Sequence, residues 1–412
     1  MYKVFGRNPS RAVERLRNGA TRDELREEGT TAAVIDASFS VESGEIFVVM
    51  GLSGSGKSTL IRMVNGLLPA TAGSLTISGE DVGNLSSHAM RTLRREKISM
   101  VFQHFALLPH RTVGENASYA LEVKGLNKSD REERANRALD MVGLTGWGAS
   151  YPGQLSGGMQ QRVGLARALA AETEILLMDE AFSALDPLIR REMQDQLIEL
   201  QDELDKTILF ITHDLNEAMR LGDRVAMMRD GEIVQIGSSE EILNDPATDY
   251  VAQFIQDVDR SRVLTASSVM ERPVTVLGSE QGPRAAHRLL REHQLPTLLV
   301  VDRDRTLRGQ VSDSEVSDAV QQGRDDLSGI LDRNVTAVKP DTVLAELLNI
   351  AADMPGPVPV VNDQNRLLGV VPRVTLLNAL GGSWDSNGNG TDADVSTESD
   401  DGTTDKQAEV AQ

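Results

Sequence analysis

Short runs of consecutive apolar residues alternate with longer amphipathic blocks over the first two thirds of the chain. Runs that are apolar throughout are typical of buried parallel strands, and they occur at residues 46–50, 175–178 and 207–211. Weaker patterns predict further strands at residues 33–41 and 74–77. The amphipathic blocks between them predict helices, and the alternation continues to about residue 236. This order of elements indicates an α/β domain over residues 31–259.

Two short helices are predicted ahead of this domain. Ser10 is placed to cap the first, which would stop at Gly19. Thr21 followed by Glu24 has the spacing of a capping box, in which the side chains and backbone of a first helical turn satisfy each other. Residues 1–30 are therefore expected to form an N-terminal helical extension.

The chain repeats itself with an offset of 60 residues over residues 260–382. The matching segments are 297–302 (TLLVVD) with 357–362 (PVPVVN), and 307–312 (LRGQVS) with 367–372 (LLGVVP). Each unit is predicted to be β–β–α, and two units indicate a paired α+β module, because a solenoid needs at least three. We expect the two domains at residues 260–325 and 326–382. The module is nearly neutral, with 14 basic and 15 acidic side chains.

Charge and composition limit the function. The last segment, residues 383–412, holds 8 acidic and 1 basic side chain and almost nothing apolar, which predicts a disordered acidic tail. A net charge of −20 argues against a nucleic-acid partner, since that role needs a basic face. The chain has no cysteine, which excludes disulfides and thiolate metal sites. No apolar run approaches the roughly 20 residues that span a bilayer, so any membrane role is expected to come through a partner.

A glycine-rich loop follows the apolar strand at residues 46–50 and leads into a helical segment at 60–65. It fits the pattern G-x-x-x-x-G-K-[ST] in the strand–loop–helix setting that pattern requires. Its backbone N–H groups would surround phosphates, Lys57 would reach the β- and γ-phosphates, and the Ser58 hydroxyl would ligate Mg²⁺. The alternative is a glycine-rich turn that only caps a helix. The predicted nucleotide-binding residues are Gly51, Leu52, Ser53, Gly54, Ser55, Gly56, Lys57, Ser58 and Thr59.

The apolar strand at residues 175–178 ends in two acidic residues, Asp179 and Glu180. Unpaired charge at the end of a buried strand is costly, so a carboxylate pair there indicates a nearby cation. Asp179 suits a water-mediated contact to Mg²⁺, and Glu180 suits the general base that activates the attacking water. The simpler interpretation is that Asp179 caps a helix.

A second glycine-containing segment, LSGGMQQR at residues 155–162, lies about 20 residues before that strand. Ser156, Gly157 and Gly158 would begin a helix running to about residue 170, which makes a second anion-binding helix end. LSGG is the signature of ATP-binding-cassette (ABC) ATPases, and the chain resembles that family over about residues 30–240. The resemblance implies ATP and Mg²⁺ as cofactors and a head-to-tail homodimer, in which this segment closes over the γ-phosphate held by the partner.

Three further positions match the motifs of the family. Gln103 resembles the Q-loop glutamine, which touches Mg²⁺ and lies beside the transmembrane contact. Asp186 ends the segment SALD, residues 183–186, which resembles the D-loop at the dimer face. His213 resembles the switch histidine, which would bind the γ-phosphate and orient the water held by Glu180. One departure concerns the adenine ring, which the family usually stacks on an upstream aromatic residue. No aromatic residue lies between Gly6 and Ser38, so Val34 is considered as an aliphatic substitute.

Taken together, the N-terminal helices, these motifs and the C-terminal repeats resemble the ATP-binding subunits of glycine betaine/L-proline importers from about residue 2 to 380. The resemblance implies an ATPase at the cytoplasmic face of the membrane that drives a separate permease, together with an extracytoplasmic solute-binding protein. Two alternatives stay open at this point. One is an importer of choline, carnitine or another small solute, and the other is a soluble cassette ATPase acting on ribosomes or DNA.

The repeats resemble a pair of CBS domains, which often hold an adenosyl ligand against a G-h-h-[ST]-x-x-[DE] segment. The first repeat offers Gly309, Ser312 and Glu315 at these positions, whereas the second has Pro372 and Thr375 in place of the hydroxyl and the acid. A nucleotide pocket and a purely structural or osmotic-sensing module are therefore both kept as interpretations.

Overall fold

A computed structural model of the chain describes residues 1–103, 105–183, 185–204 and 206–381. The segment expected to be a disordered tail, residues 383–412, lies outside the described residues. The first elements in chain order are β1 (Lys3–Phe5), α1 (Pro9–Arg17), α2 (Arg22–Glu27) and β2 (Thr31–Val34).

The N-terminal extension is not wholly helical, because β1 pairs with β2 in an antiparallel ribbon. Alternation explains the strand: Tyr2 and Val4 enter a small core shared with α1 and α2. The capping box of Thr21 and Glu24 is confirmed at the start of α2. The cap predicted at Ser10 is wrong, since α1 begins at Pro9, whose fixed φ and missing N–H suit a first helical position.

The segment predicted to be the ABC ATPase domain, residues 31–259 and called the cassette below, is an α/β domain in the structure. Among the described residues no helix is both long and apolar enough to cross a bilayer. Its elements after β2 are β3 (Ile46–Met50), α3 (Lys57–Val64), β4 (Thr76–Ile77), β5 (Glu80–Asp81), α4 (Ser87–Lys97), β6 (Ile98–Val101), α5 (Val113–Ala117), α6 (Tyr119–Lys124), α7 (Lys128–Met141), α8 (Gly157–Ala170), β7 (Ile175–Asp179), α9 (Pro187–Leu204), β8 (Thr207–Thr212), α10 (Leu215–Leu221), β9 (Arg224–Arg229), β10 (Glu232–Gly237), α11 (Ser239–Asn244) and α12 (Asp249–Phe254).

A six-stranded sheet forms the centre of the cassette, in the spatial order β10-β9-β3-β8-β7-β6. All neighbours are parallel except β10, which pairs antiparallel with β9. The three strands predicted from continuous apolar runs, β3, β7 and β8, are confirmed and lie side by side. Because the strands run parallel, their carboxyl ends meet at one edge of the sheet, and the residues that follow them meet there as well.

The strand predicted at residues 33–41 is shorter than expected and ends at Val34. The backbone turns at Asp36, which has a left-handed φ of 47°, so the ladder stops there. The apolar residues beyond it pack rather than pair, as shown by Phe39, whose ring stacks on Phe47 with centroids 5.1 Å apart. The strand predicted at 74–77 is likewise reduced to β4.

The repeat module, residues 260–381, contains two similar hairpins. They occupy the same register, including a bulge at the equivalent point, between Val300 and Val301 in the first and between Val360 and Val361 in the second. The elements are α13 (Arg260–Val263), α14 (Ala266–Val269), β11 (Leu277–Gly278), α15 (Pro283–Glu292), β12 (Thr297–Val301), β13 (Leu307–Ser312), α16 (Asp313–Gln321), α17 (Leu344–Asp353), β14 (Val358–Val361), β15 (Leu367–Val371) and α18 (Arg373–Gly381).

The two repeats contact each other reciprocally. Leu307 N donates to the carbonyl of Asn365 at 2.9 Å, and Leu367 N donates to the carbonyl of Arg305 at 2.9 Å. Gly309 shows how closely the backbones approach, because a Cβ built there would lie 2.2 Å from the carbonyl oxygen of Asp332. The sequence repeat therefore corresponds to an internal pseudo-twofold arrangement.

The module packs against the cassette through α13. This helix contacts α10 of the cassette on one side and α17 and α18 of the second repeat on the other. One hydrophobic cluster runs through all of these elements and includes Met219, Leu264 and Leu347. In addition, the Arg260 guanidinium donates to the carbonyl of Leu243 in α11 at 3.2 Å. The module is thus joined to the helix that follows the predicted switch histidine.

Candidate nucleotide-binding and hydrolysis site

The phosphate loop, residues 51–59, connects β3 to α3 at the carboxyl edge of the central sheet. Two of its glycines are required by close backbone contacts. A Cβ on Gly51 would lie 2.1 Å from the carbonyl oxygen of Met228, and a Cβ on Gly56 would lie 2.1 Å from that of Ala33. Gly56 also has a left-handed φ of 108° just before α3. The loop is therefore clamped between β9 and β2, where its backbone N–H groups would lie around bound phosphates.

Lys57 lies inside this loop. Its ammonium donates to the carbonyls of Gly51 at 2.7 Å and Leu52 at 3.1 Å. Burial lowers the pKa of Lys57, while the nearby charges of Glu180 and Asp179 oppose the change. The predicted phosphate-binding lysine thus lies close to the two acidic residues at the carboxyl end of β7, Asp179 and Glu180.

Asp179 and Ser58 are in direct contact, with the hydroxyl donating to the carboxylate at 3.0 Å. Asp179 is only 4% exposed, and this burial raises the pKa of its carboxyl against the opposing effect of the Ser58 hydrogen bond. A hydroxyl and a carboxylate oxygen are the hard donors that Mg²⁺ prefers. The described part of the chain has no cluster of three or more His, Asp or Glu side chains suited to a metal.

Glu180 is held by two of the other predicted residues. Gln103 Nε2 donates to its Oε2 at 3.0 Å, and His213 Nδ1 lies 3.1 Å from the same oxygen. The backbone of Glu180 has a left-handed φ of 46°, a conformation that costs of order 1–3 kcal/mol and clusters at functional sites. Its N–H donates to Ile211 O at 2.9 Å. The structure therefore brings Glu180, Gln103 and His213 together from three separate segments.

The Q-loop, residues 101–109, turns sharply after Gln103. Phe105 and Ala106 both have left-handed φ angles, of 42° and 48°. Arg167 on α8 supports this turn by donating to their carbonyls, at 3.2 Å to Phe105 and 2.6 Å to Ala106. This supporting arginine was missed by the sequence analysis, because nothing in a helical RALA segment indicates which loop it contacts.

The second helix end predicted at Ser156 is confirmed as the start of α8, where the Ser156 hydroxyl accepts from Met159 N at 3.3 Å. Ser156 is exposed. No hydrogen bond within the described ranges joins Ser156, Gly157 or Gly158 to the phosphate loop of the same chain. Gly158 instead lies beside the segment after the D-loop, since a Cβ there would be 3.4 Å from Ile189.

Asp186, the predicted D-loop aspartate, caps a helix in this chain. Its carboxylate accepts from Leu188 N at 3.2 Å and Ile189 N at 3.1 Å at the start of α9. Asp186 and the neighbouring Leu188 are both exposed. The D-loop and the signature segment, residues 155–162, thus lie close together on the surface.

An exposed aromatic residue lies just before Gly6, where the stretch without aromatic residues begins in the sequence. Phe5 on β1 pairs with Thr31 of β2 and is 42% exposed, and β2 in turn contacts the phosphate loop at Ala33. Val34, the aliphatic substitute considered above, is fully buried, so that interpretation is wrong. Phe5 was missed because it lies before Gly6, outside the stretch in which the aromatic residue of the family was expected.

The N-terminal extension also contacts the phosphate loop directly. Arg22 on α2 donates to the Gly54 carbonyl at 3.1 Å and pairs with Asp230 at 2.7 Å. The residue after that aspartate, Gly231, donates its N–H to Ser55 O at 3.0 Å. The outer side of the loop is thus held both by α2 and by the turn between β9 and β10.

A groove of about 560 Å³ lies beside the Q-loop, between α4, α6 and α8. Its apolar lining includes the exposed side chains of Tyr119 and Val123. The basic side chains around it are Arg91, Arg94, Arg95 and Arg167.

In the repeat module, Ser312 and Glu315 contact each other. Ser312 Oγ accepts from Glu315 N at 3.3 Å, and the Glu315 carboxylate accepts from both the backbone and the hydroxyl of Ser312, forming a capping box at α16. Both side chains are therefore engaged in the helix start.

Comparison with known proteins agrees with this geometry. The family model described as ABC transporter matches residues 34–183, and the model described as CBS domain matches residues 266–322 and 327–382.

Curated relatives extend over nearly the whole chain. The glycine betaine transport ATP-binding protein OpuAA of Bacillus subtilis is 50% identical over 384 residues, covering 92% of this chain and 91% of the relative. The glycine betaine/carnitine transport ATP-binding protein GbuA of Listeria monocytogenes is 50% identical and covers 93% and 96%. The glycine betaine/proline betaine transport system ATP-binding protein ProV of Escherichia coli is 46% identical and covers 94% and 98%. The chain therefore belongs to the ABC transporter family, among the ATP-binding proteins in which a pair of CBS domains follows the cassette.

Proposed function

We propose that this chain hydrolyses ATP and thereby drives the import of a quaternary amine of the glycine betaine type through a separate membrane permease. The observation that carries the proposal is the convergence on Glu180, whose carboxylate lies within hydrogen-bond distance of Gln103 and His213. The names of the relatives support the class of solute. The chain itself would not contact the solute, and it would act at the cytoplasmic face of the membrane.

The geometry supports a hydrolytic mechanism. The phosphate loop and Lys57 would bind the phosphates of ATP, and Ser58, Asp179 and Gln103 would hold Mg²⁺, which neutralises developing charge on the phosphates. Glu180 would accept a proton from the attacking water through its carboxylate oxygen. His213, hydrogen-bonded to that carboxylate, would keep it oriented and bind the γ-phosphate.

The composite site is proposed to need two copies of the chain. Ser156 presents an exposed helix N-terminus, whose positive dipole end suits a phosphate, yet among the described residues no hydrogen bond joins it to the phosphate loop of its own chain. Gly158 and the D-loop lie on the same surface, so a head-to-tail homodimer would bring both against the partner's nucleotide. Leu52, one of the exposed residues of the phosphate loop at 56%, would then face the partner.

The groove beside the Q-loop is proposed as the contact for the permease. Its exposed apolar side chains, Tyr119 and Val123, suit an amphipathic segment of a partner, and its rim of arginines suits acidic or carbonyl groups. Because Gln103 lies at the start of the same loop, occupation of the groove would be sensed at Glu180. An extracytoplasmic solute-binding protein would complete the system.

The repeat module is proposed to regulate the motor in response to ionic strength. The capping box of Ser312 and Glu315 favours a structural role for the segment considered as a nucleotide site. The module contacts α10 through α13, and α10 begins directly after His213 and Asp214. A change in this packing would therefore reach the switch histidine.

Replacement of Glu180 by Gln should reduce ATP hydrolysis by the full chain about 100- to 10,000-fold, because the attacking water loses its base. The phosphate-binding groups remain, so ATP with Mg²⁺ should hold the variant as a dimer in size-exclusion chromatography. In vesicles with the permease and binding protein, ATP-driven uptake of glycine betaine should stop. Glu199→Gln, an exposed glutamate on α9, is the matched control and should behave as the wild type.

Hydrolysis by Glu180→Gln at a rate near wild type would refute the assigned base. Uptake in the wild-type system should be tested with proline, choline and carnitine as competitors. If glycine betaine neither is taken up nor competes with these solutes, the proposed solute class is wrong while the ATPase assignment stands.

Replacement of Phe5 by Ala should weaken ATP binding about 3- to 10-fold, because a stacking contact is worth on the order of 1 kcal/mol. Nucleotide titration by calorimetry measures this, and kcat at saturating ATP should stay within about twofold. Trp147→Ala removes a comparably exposed aromatic side chain from another surface and should leave the affinity unchanged. Equal affinities for Phe5→Ala and wild type would show that adenine does not stack there.

Replacement of Arg260 by Met should raise uptake at low internal salt toward the level of high salt, because it removes one of the contacts, between α13 and α11, that hold the repeat module against the cassette. Transport into vesicles is measured from about 0.1 to 1 M internal salt, with screening lengths of about 10 to 3 Å. Arg262→Met is the control, since within the described ranges Arg262 forms an ion pair with Asp259 alone, and its side chain is 63% exposed. An unchanged salt-activation curve for Arg260→Met would argue against this route.

A further inference from the structure

Arg190, in the first turn of α9, joins the D-loop to the segment that carries the switch histidine. Its Nη2 donates to the carbonyls of Leu185 at 3.1 Å and Ser183 at 3.4 Å. Its Nη1 donates to Asp214 Oδ2 at 3.2 Å. The sequence analysis gives this arginine no role of its own.

Asp214 is fixed by more than the arginine. Its other carboxylate oxygen accepts from Glu217 N at 3.2 Å and so caps α10, and its own N–H donates to Thr212 Oγ1 at 3.0 Å. Because Asp214 directly follows His213, these bonds determine where the chain places the switch histidine.

On the other side, Ser183 is bonded back to the catalytic glutamate. Both the hydroxyl and the N–H of Ser183 donate to the Glu180 carbonyl, at 2.9 and 3.2 Å. The contact of His213 with the Glu180 carboxylate, at 3.1 Å, completes the circuit. Glu180, Ser183, Arg190, Asp214 and His213 thus form a closed ring of contacts.

We propose that Arg190 is a positioning residue for hydrolysis, which fixes the distance and orientation between Glu180 and His213 and links both to the D-loop. The inference rests on the proposed function of these two residues. A guanidinium suits the role because its planar fork directs several N–H groups to fixed positions at once. Glu180 needs such support, because its left-handed backbone conformation is strained.

The ring also connects hydrolysis to the dimer face. The carbonyls that Arg190 holds belong to the D-loop, and the D-loop contacts the signature segment through Leu185, which would lie 3.6 Å from a Cβ on Gly158. Displacement of the D-loop when a second chain binds would move Arg190, and through Asp214 it would move His213. Arg190 would then make the alignment of the catalytic pair depend on closure of the dimer.

The test compares Arg190→Met, Arg190→Lys, Asp214→Asn and the double variant Arg190→Met/Asp214→Asn in the purified full chain. We expect kcat to fall roughly 10- to 100-fold in Arg190→Met, as for misplaced catalytic groups, while KM and the Kd for ATP change less than about threefold. Arg190→Lys keeps the charge near Asp214 but cannot reach all three acceptors, so its kcat should be intermediate. Because both single variants break the same link, the double variant should be no slower than the slower of the two.

Arg191→Met, at an exposed neighbouring arginine, is the control for charge and should keep the wild-type kcat. A kcat within about twofold of wild type in Arg190→Met, or single effects that multiply in the double variant, would overturn the inference. If Arg190→Met does not fold, Arg190→Lys decides the question by the same split between kcat and KM. Glu180→Gln, measured alongside, separates the two levels: turnover retained there contradicts the proposed function, whereas turnover lost there with normal Arg190→Met contradicts only the role of Arg190.

Discussion

A carboxylate pair at the carboxyl end of β7 is the constraint around which the rest of the cassette is arranged. Asp179 is buried, which raises the pKa of its carboxyl, and Glu180 has a strained backbone. Such groups persist only where the surroundings satisfy them. Ser58 comes from the phosphate loop, Gln103 from the Q-loop and His213 from the end of β8, so one pair of acids brings three separate segments to the same edge of the sheet.

The parts of the site that were predicted from sequence are those in which local chemistry determines local structure. In three cases a few neighbouring residues determine the local structure. These are the glycine loop between a strand and a helix, the acids at the end of an apolar strand, and the serine before a glycine pair. Arg22 and Arg190 were not predictable in this way, because their partners lie 32 and 24 residues away or on loops whose course is set by the tertiary fold. The turn at Asp36, which shortens β2, has the same origin in long-range packing.

The repeat module shows the same difference between what local sequence determines and what long-range packing determines. The repeat itself was predicted from the sequence, and the structure adds that both hairpins have the same register and the same bulge, as expected from the identical spacing of their apolar residues. The attachment of the module to the cassette was not predicted, because α13 carries no sequence motif and its position depends on the elements that it contacts. That contact places α13 against α10. Because α10 begins just after the switch histidine, α10 and α13 together connect His213 to the second repeat. The start of α10, at Asp214, is therefore linked to the D-loop by Arg190. The same helix is linked to the repeat module by its contact with α13.

The central claim is that the phosphate loop of one chain and the signature segment of another serve the same nucleotide, and mixing two inactive chains tests it most directly. Ser156→Arg and Lys57→Ala should each abolish hydrolysis alone. In a mixed dimer one site carries both defects and the other carries neither, so a 1:1 mixture of freely exchanging chains should recover about a quarter of wild-type activity. Absence of recovery at every ratio, with heterodimers shown by affinity-tag capture, would contradict the account.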